Sequence, residues 1–219
     1  ISIIWRESTI LYSNKNFERL RDVYMFTQKA SLYFTLIASL FVYVNGSYIF
    51  ELWLHKVDIF DEKLLLLMLG VILVQSLWIN AETFLYSWNS AKHVTIYKVI
   101  YMLLLIMLSI LVLNYYPKLY SFVTINLILN ILILNFTITS QLHKEISIKS
   151  LTYIYRVIIP FFILFSVGVV GLFLLRDHYI FSMLFIFCFS FMLIYDVFRT
   201  EKEFIRILLK NIYKKGNKN

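Results

Sequence analysis

Long apolar runs separated by short polar connections dominate the chain. Six stand out, roughly Ser31–Leu54, Leu64–Trp88, Thr95–Tyr116, Leu119–Gln141, Ile154–Leu175 and Tyr179–Phe198. Each holds 20 to 25 residues, and a helix needs roughly 20 to cross a hydrocarbon core about 30 Å thick. The strands of a membrane barrel are about half as long and alternate apolar with polar positions. These runs do not alternate. The pattern therefore predicts an all-α, polytopic transmembrane helix bundle of about six spanning helices.

Two flanking stretches have helical apolar spacing but basic remainders. Asn14–Lys29 mixes Phe17, Leu20, Val23 and Tyr24 with Arg19, Arg21 and Asp22. Glu201–Lys215 mixes Phe204, Ile205, Leu208 and Ile212 with Lys202, Arg206, Lys210 and Lys214. Both are expected to lie on the cytoplasmic leaflet as amphipathic helices. The expected organisation is a juxtamembrane segment over residues 1–30, the six-helix bundle over 31–199 and a basic tail over 200–219.

The connections set the orientation. Of the 21 Lys and Arg, 17 fall in the two ends and the second and fourth connections, and 4 fall in the first, third and fifth. Basic residues are retained on the cytoplasmic side. Both termini are therefore expected in the cytoplasm, with His55–Lys63, Pro117–Lys118 and Arg176–His178 facing outward. Trp53, Trp88, Tyr115, Tyr116 and Tyr179 fall near predicted span ends, where amphipathic rings prefer the interface.

Composition agrees. The chain is 60% hydrophobic and 16% charged, against about 45–50% and about 25% for a soluble domain. The net charge of +8 sits between apolar runs, so it points to membrane lipids and not to nucleic acid. Cys188 is the single cysteine, which excludes a disulfide framework. His55, His93, His143 and His178 are scattered over both sides of the membrane and form no metal site. Asp58, Asp61 and Glu62 cluster in an outer loop, read as solvated. No pattern points to catalysis, a cofactor or a phosphate-binding loop, so no enzyme activity is expected.

Polar residues inside spans are costly in hydrocarbon and are the sharpest functional signal. In the second run Gln75, Trp78 and Glu82 fall at i, i+3 and i+7 and share one face. Glu82 lies more than one turn inside. Facing a cavity, it would exchange a proton or help bind a cation; facing outward, it would reach the headgroups. In the fourth run Asn126 and Asn130 lie on one face, near Thr124, Asn135, Thr137, Thr139 and Ser140. They fit either a polar passage for sugar hydroxyls or interhelical glue of roughly 0.6–2 kcal/mol per bond. Asn45-Gly-Ser47, Gly168 and Gly171 are expected to permit close helix packing, and Pro160 a kink. The candidate cavity residues are Gln75, Glu82, Asn126 and Asn130.

Three local patterns occur in order. Asn16–Arg21 reads NFERLR before the first span, Ile49–Leu54 reads IFELWL at its outer end, and Phe84–Lys92 reads FLYSWNSAK at the inner end of the second. This arrangement resembles the C-terminal half of the polysaccharide flippases, exporters of O-antigen and capsule repeat units in the multidrug/oligosaccharidyl-lipid/polysaccharide superfamily. His55 stands where the family has glycine after Leu-Trp-Leu, and Asn89-Ser90 replace its small-Gly turn. The resemblance implies a protein about twice as long, with Ile1–Tyr12 as the tail of a preceding helix. It implies two pseudo-symmetric bundles around a cavity and alternating access, a lipid-linked oligosaccharide as cargo, and a proton or sodium gradient as drive. Alternatives are a multidrug exporter of the same superfamily, a membrane-embedded glycan polymerase or ligase, and a non-catalytic membrane subunit. The short outer connections argue against the polymerase or ligase.

Overall fold

The computed structural model describes residues 2–54, 60–116, 118–175 and 178–200. The tail expected over Glu201–Lys215, and the outer-loop residues His55, Asp58, Pro117 and Arg176, lie outside the described residues. All described elements are helical. A short helix, Ser2–Ser13, precedes six spans: Phe17–Trp53, Glu62–Ser87, Ala91–Tyr115, Leu119–Glu145, Ser150–Leu174 and Tyr179–Arg199. Each is long and apolar enough to cross a membrane, so the chain is a multi-pass membrane protein.

The turns on the lysine-rich face close their helices in one way. Lys15, Asn89 and Ser147 each adopt a positive φ, of 54°, 61° and 53°. The amide beyond each returns to a carbonyl five residues earlier: Asn16 to Leu11, Ser90 to Leu85 and Ile148 to His143, at 2.9, 3.0 and 2.8 Å. This left-handed cap usually takes glycine. Its bonds satisfy carbonyls that a helix end leaves without partners. On the opposite face Asp61 caps the second span, its Oδ1 accepting from the amides of Lys63 and Leu64 at 3.0 and 3.1 Å.

The expected leaflet helix over Asn14–Lys29 is corrected. Helix Phe17–Leu54 runs unbroken through it for 38 residues, about 57 Å at 1.5 Å per residue. Its basic-end apolar residues are covered by protein, not lipid. Leu20, Val23 and Tyr24 are buried, and the Tyr24 ring meets Phe84, His143 and Tyr153 at centroid distances of 5.5, 6.0 and 6.2 Å. Asn45-Gly-Ser47 lies within this helix.

The first span is the hub. It packs on the short N-terminal helix, the second, fifth and sixth spans. The second span carries the bundle onward to the fourth, and the third packs at the edge against the fourth. Most of the third span's surface is exposed, as expected of a helix facing lipid. Close approach falls at Gly46, Gly168 and Gly171. A Cβ on Gly171 would run into the ring of Phe185, and one on Gly46 would sit 2.6 Å from Leu65 Cδ2. Pro160 follows a π turn, Ile154–Ile158, a wider turn that takes up the break in the hydrogen-bond ladder that proline imposes.

Trp88 departs from the interfacial belt. It is buried, stacked on Tyr12 at 4.6 Å and 4° and edge-on to Phe84 at 5.7 Å. The N-terminal helix covers it, pinned by a Ser8–Ser87 hydroxyl contact at 3.0 Å and a Tyr12 hydroxyl donating to Glu145 Oε2 at 3.2 Å. Trp53, Tyr115, Tyr116 and Tyr179 remain exposed at span ends.

Candidate functional site: a polar network between three spans

Glu82 lies five residues before the end of the second span, and Lys98 seven residues after the start of the third. That places both about 7–10 Å inside the helix ends. The Lys98 ammonium forms an ion pair with Glu82 Oε1. The Glu82 side chain is only 9% exposed, that of Lys98 38%. Lys98 also sits over the rings of Trp78 and Tyr86, 5.5 and 6.0 Å from their centroids. Ring faces are electronegative, so they share in holding the cation. The pair is neutral overall, which is how a buried charge is tolerated at this depth.

One turn deeper, the pair gives way to amides and hydroxyls. Trp78 Nε1 donates to Asn130 Oδ1 at 3.2 Å. Asn130 Nδ2 donates to Asn126 Oδ1, to the Asn126 carbonyl and to the Tyr101 hydroxyl, at 2.6, 3.0 and 3.2 Å. Tyr101 in turn donates to Asn126 Oδ1 at 2.7 Å. Asn130 is fully buried and opens a π turn, Asn130–Asn135. Such a turn inserts one extra residue and re-aims the side chains around it.

The fold thus joins Glu82, through Lys98 and the Trp78 ring that Lys98 sits over, to Asn126 and Asn130. Gln75 is not part of the network. It is half-buried, one turn before Trp78. Sequence reasoning missed Lys98 and Tyr101. They fall at i and i+3 inside the third run, on one helix face, and that spacing was the available signal. Lys98 reads as one more basic flank until the partner across the helix gap is known.

A second ion pair joins the first and sixth spans near the lysine-rich face. Lys29, 5% exposed, lies 2.6 Å from Asp196 Oδ2. The Tyr33 hydroxyl donates to the same carboxylate oxygen at 3.0 Å. Nearby, the buried Gln28 Nε2 donates to the carbonyls of Ser76 and Leu77 at 2.9 and 3.1 Å, tying the first span to the second.

Among the described residues no group of three His, Cys, Asp or Glu side chains is placed to hold a metal ion. Asp61 serves as a helix cap. The Tyr120 hydroxyl, hydrogen-bonded to it, and the Leu64 amide hold its carboxyl below the usual range. At the lysine-rich face a groove of about 430 Å³ opens between the fourth and fifth spans. No protein-family model matches this chain, and neither does any curated protein or solved structure.

Proposed function

We propose that this chain is a helical bundle of an ion-coupled membrane transporter, with a lipid-linked oligosaccharide as cargo and both described ends on the cytoplasmic side of a bacterial inner membrane. The cargo class rests on the NFERLR, IFELWL and FLYSWNSAK patterns. The observation that carries the transport reading is the Glu82–Lys98 pair, buried between two spans beside a web of amides and hydroxyls. Carboxylates inside membrane spans form proton relays in pumps and transporters. Protonation would neutralise Glu82 and release the Lys98 ammonium, a cation then free for an anionic cargo group. Loss of the proton would close the pair again. Alternating access needs this kind of ion-dependent difference between two states.

Glu82→Gln removes the acceptor and keeps the shape. Export of surface polysaccharide per molecule of the substituted full-length protein in the membrane should fall severely. Undiminished export at equal expression sinks the proposal.

One observation favours a structural reading instead. Trp78, Tyr101, Asn126 and Asn130 already satisfy one another, as interhelical glue does. On that reading Glu82→Gln lowers membrane level and export together, in a subunit that transports nothing itself.

A further inference from the structure

The groove at the lysine-rich face is separate from the polar network. Its wall is formed by residues within 140–150, at the turn between the fourth and fifth spans, all polar except Ile148. The fourth span ends at Glu145 and the fifth begins at Ser150, so the groove sits at the depth where hydrocarbon gives way to headgroups. Its lining carries two lysines and three serines, all exposed. His143 is 8% exposed, and its Nε2 has no hydrogen-bond partner among the described residues. The ring packs on Tyr153 and Tyr24, at centroid distances of 4.6 and 6.0 Å, which fixes this end of the fourth span. The turn is held rigidly by the Ile148 amide bonded to the His143 carbonyl at 2.8 Å and by Arg21 Nε donating to the Ile146 carbonyl at 2.7 Å.

The surroundings decide what kind of ligand. One residue beyond Ser150 begins an exposed apolar stripe, Leu151, Tyr155, Ile159 and Phe162. Its spacing of about four residues keeps it on one helix face running into the membrane. A polar, cationic pocket at interfacial depth above an apolar track matches an amphiphile with an anionic head. Basic pockets at the ends of membrane helices bind phospholipid headgroups in this manner.

We propose that this groove binds the phosphate of an anionic phospholipid, with Lys144 and Lys149 supplying the charge, the serine hydroxyls supplying hydrogen bonds, and an acyl chain lying along the Leu151–Phe162 stripe. The inference needs only that the chain spans a membrane and does not depend on transport.

The test uses the full chain in nanodiscs of phosphatidylcholine, alone or mixed with phosphatidylglycerol, with retained lipid measured by native mass spectrometry. The wild type should retain phosphatidylglycerol in preference to phosphatidylcholine. The double substitution Lys144→Ala and Lys149→Ala should weaken that retention about 30-fold, at about fivefold per lysine. Removing the same charge elsewhere on this face, with Lys15→Ala and Lys92→Ala, should leave it unchanged, and Lys144→Arg with Lys149→Arg should preserve it. Equal loss in both alanine pairs means diffuse attraction and overturns the site. So does the absence of any preference in the wild type. Displacement of the lipid by inorganic phosphate at equal concentration overturns the lipid assignment in favour of a soluble anion.

Discussion

Removing the two partners of the Glu82–Lys98 pair should not cost the same. Lys98→Met leaves the Glu82 carboxylate, with 9% of its side chain exposed, without its counter-charge. Stranding a buried charge in this way costs about 3–5 kcal/mol. Glu82→Gln strands Lys98 instead, but that side chain is 38% exposed. Its four-carbon stem lets the ammonium reach toward the headgroups, and it keeps the ring faces of Trp78 and Tyr86. The cost should be only about 1–2 kcal/mol, mostly from an amide less well satisfied than the carboxylate. Replacing both residues by Met removes the charge problem altogether and should come out near the wild type or above it, because a neutral pair of similar volume needs no desolvated partner. The assay is reversible unfolding of the purified chain in mixed micelles with rising dodecyl sulfate, followed by helicity. The reasoning is refuted if the two single substitutions agree within about 0.5 kcal/mol, a difference well below the one expected, or if the double Met variant is less stable than Lys98→Met.

The glycines offer an internal contrast. Gly171→Ala puts a Cβ 2.6 Å from Phe185 Cε2 and should cost about 1–3 kcal/mol, whereas Gly70→Ala meets nothing nearer than Leu127 at 3.9 Å and should stabilise by about 0.5–1 kcal/mol through helix propensity; the same unfolding assay in micelles compares them. Asn130→Ala removes the bonds to Asn126 and Tyr101 and strands Trp78 Nε1. At an average of about 0.6 kcal/mol per intramembrane bond it should cost about 2 kcal/mol, and Tyr101→Phe should add little in the double variant because the two losses share one network. Additive costs would show that the side chains do not act together.

Much of the architecture is written in hydropathy alone. The six apolar runs match the six helices to within a few residues at most ends, because length and apolarity are what a bilayer selects. Departures occur where a residue serves two readings. Phe17, Leu20, Val23 and Tyr24 alternate with basic residues in the way of a helix lying on a leaflet. A helix end packed on protein needs the same pattern, and only the presence of the second, fourth and fifth spans beside it decides between them. Trp88 looks like an interfacial ring by position, yet Tyr12 stacks on it, and Tyr12 belongs to a segment 76 residues earlier. The turns at Lys15, Asn89 and Ser147 carry no glycine to announce their positive φ.

By itself the sequence determined the helical class, the number of spans, the lysine-rich face and the polar positions inside the membrane, since each follows from local composition and the period of the helix. It named Glu82, Asn126 and Asn130 but not what they do together. Only tertiary structure brought Lys98 and Tyr101 to them, left Gln75 aside and set Lys29 against Asp196 across 167 positions of chain. In lipid, apolar surface does not dictate which helices pair, because tails solvate it equally well. Pairing then depends on small residues such as Gly171 and on matched polar groups, and those matches exist only once the helices are side by side.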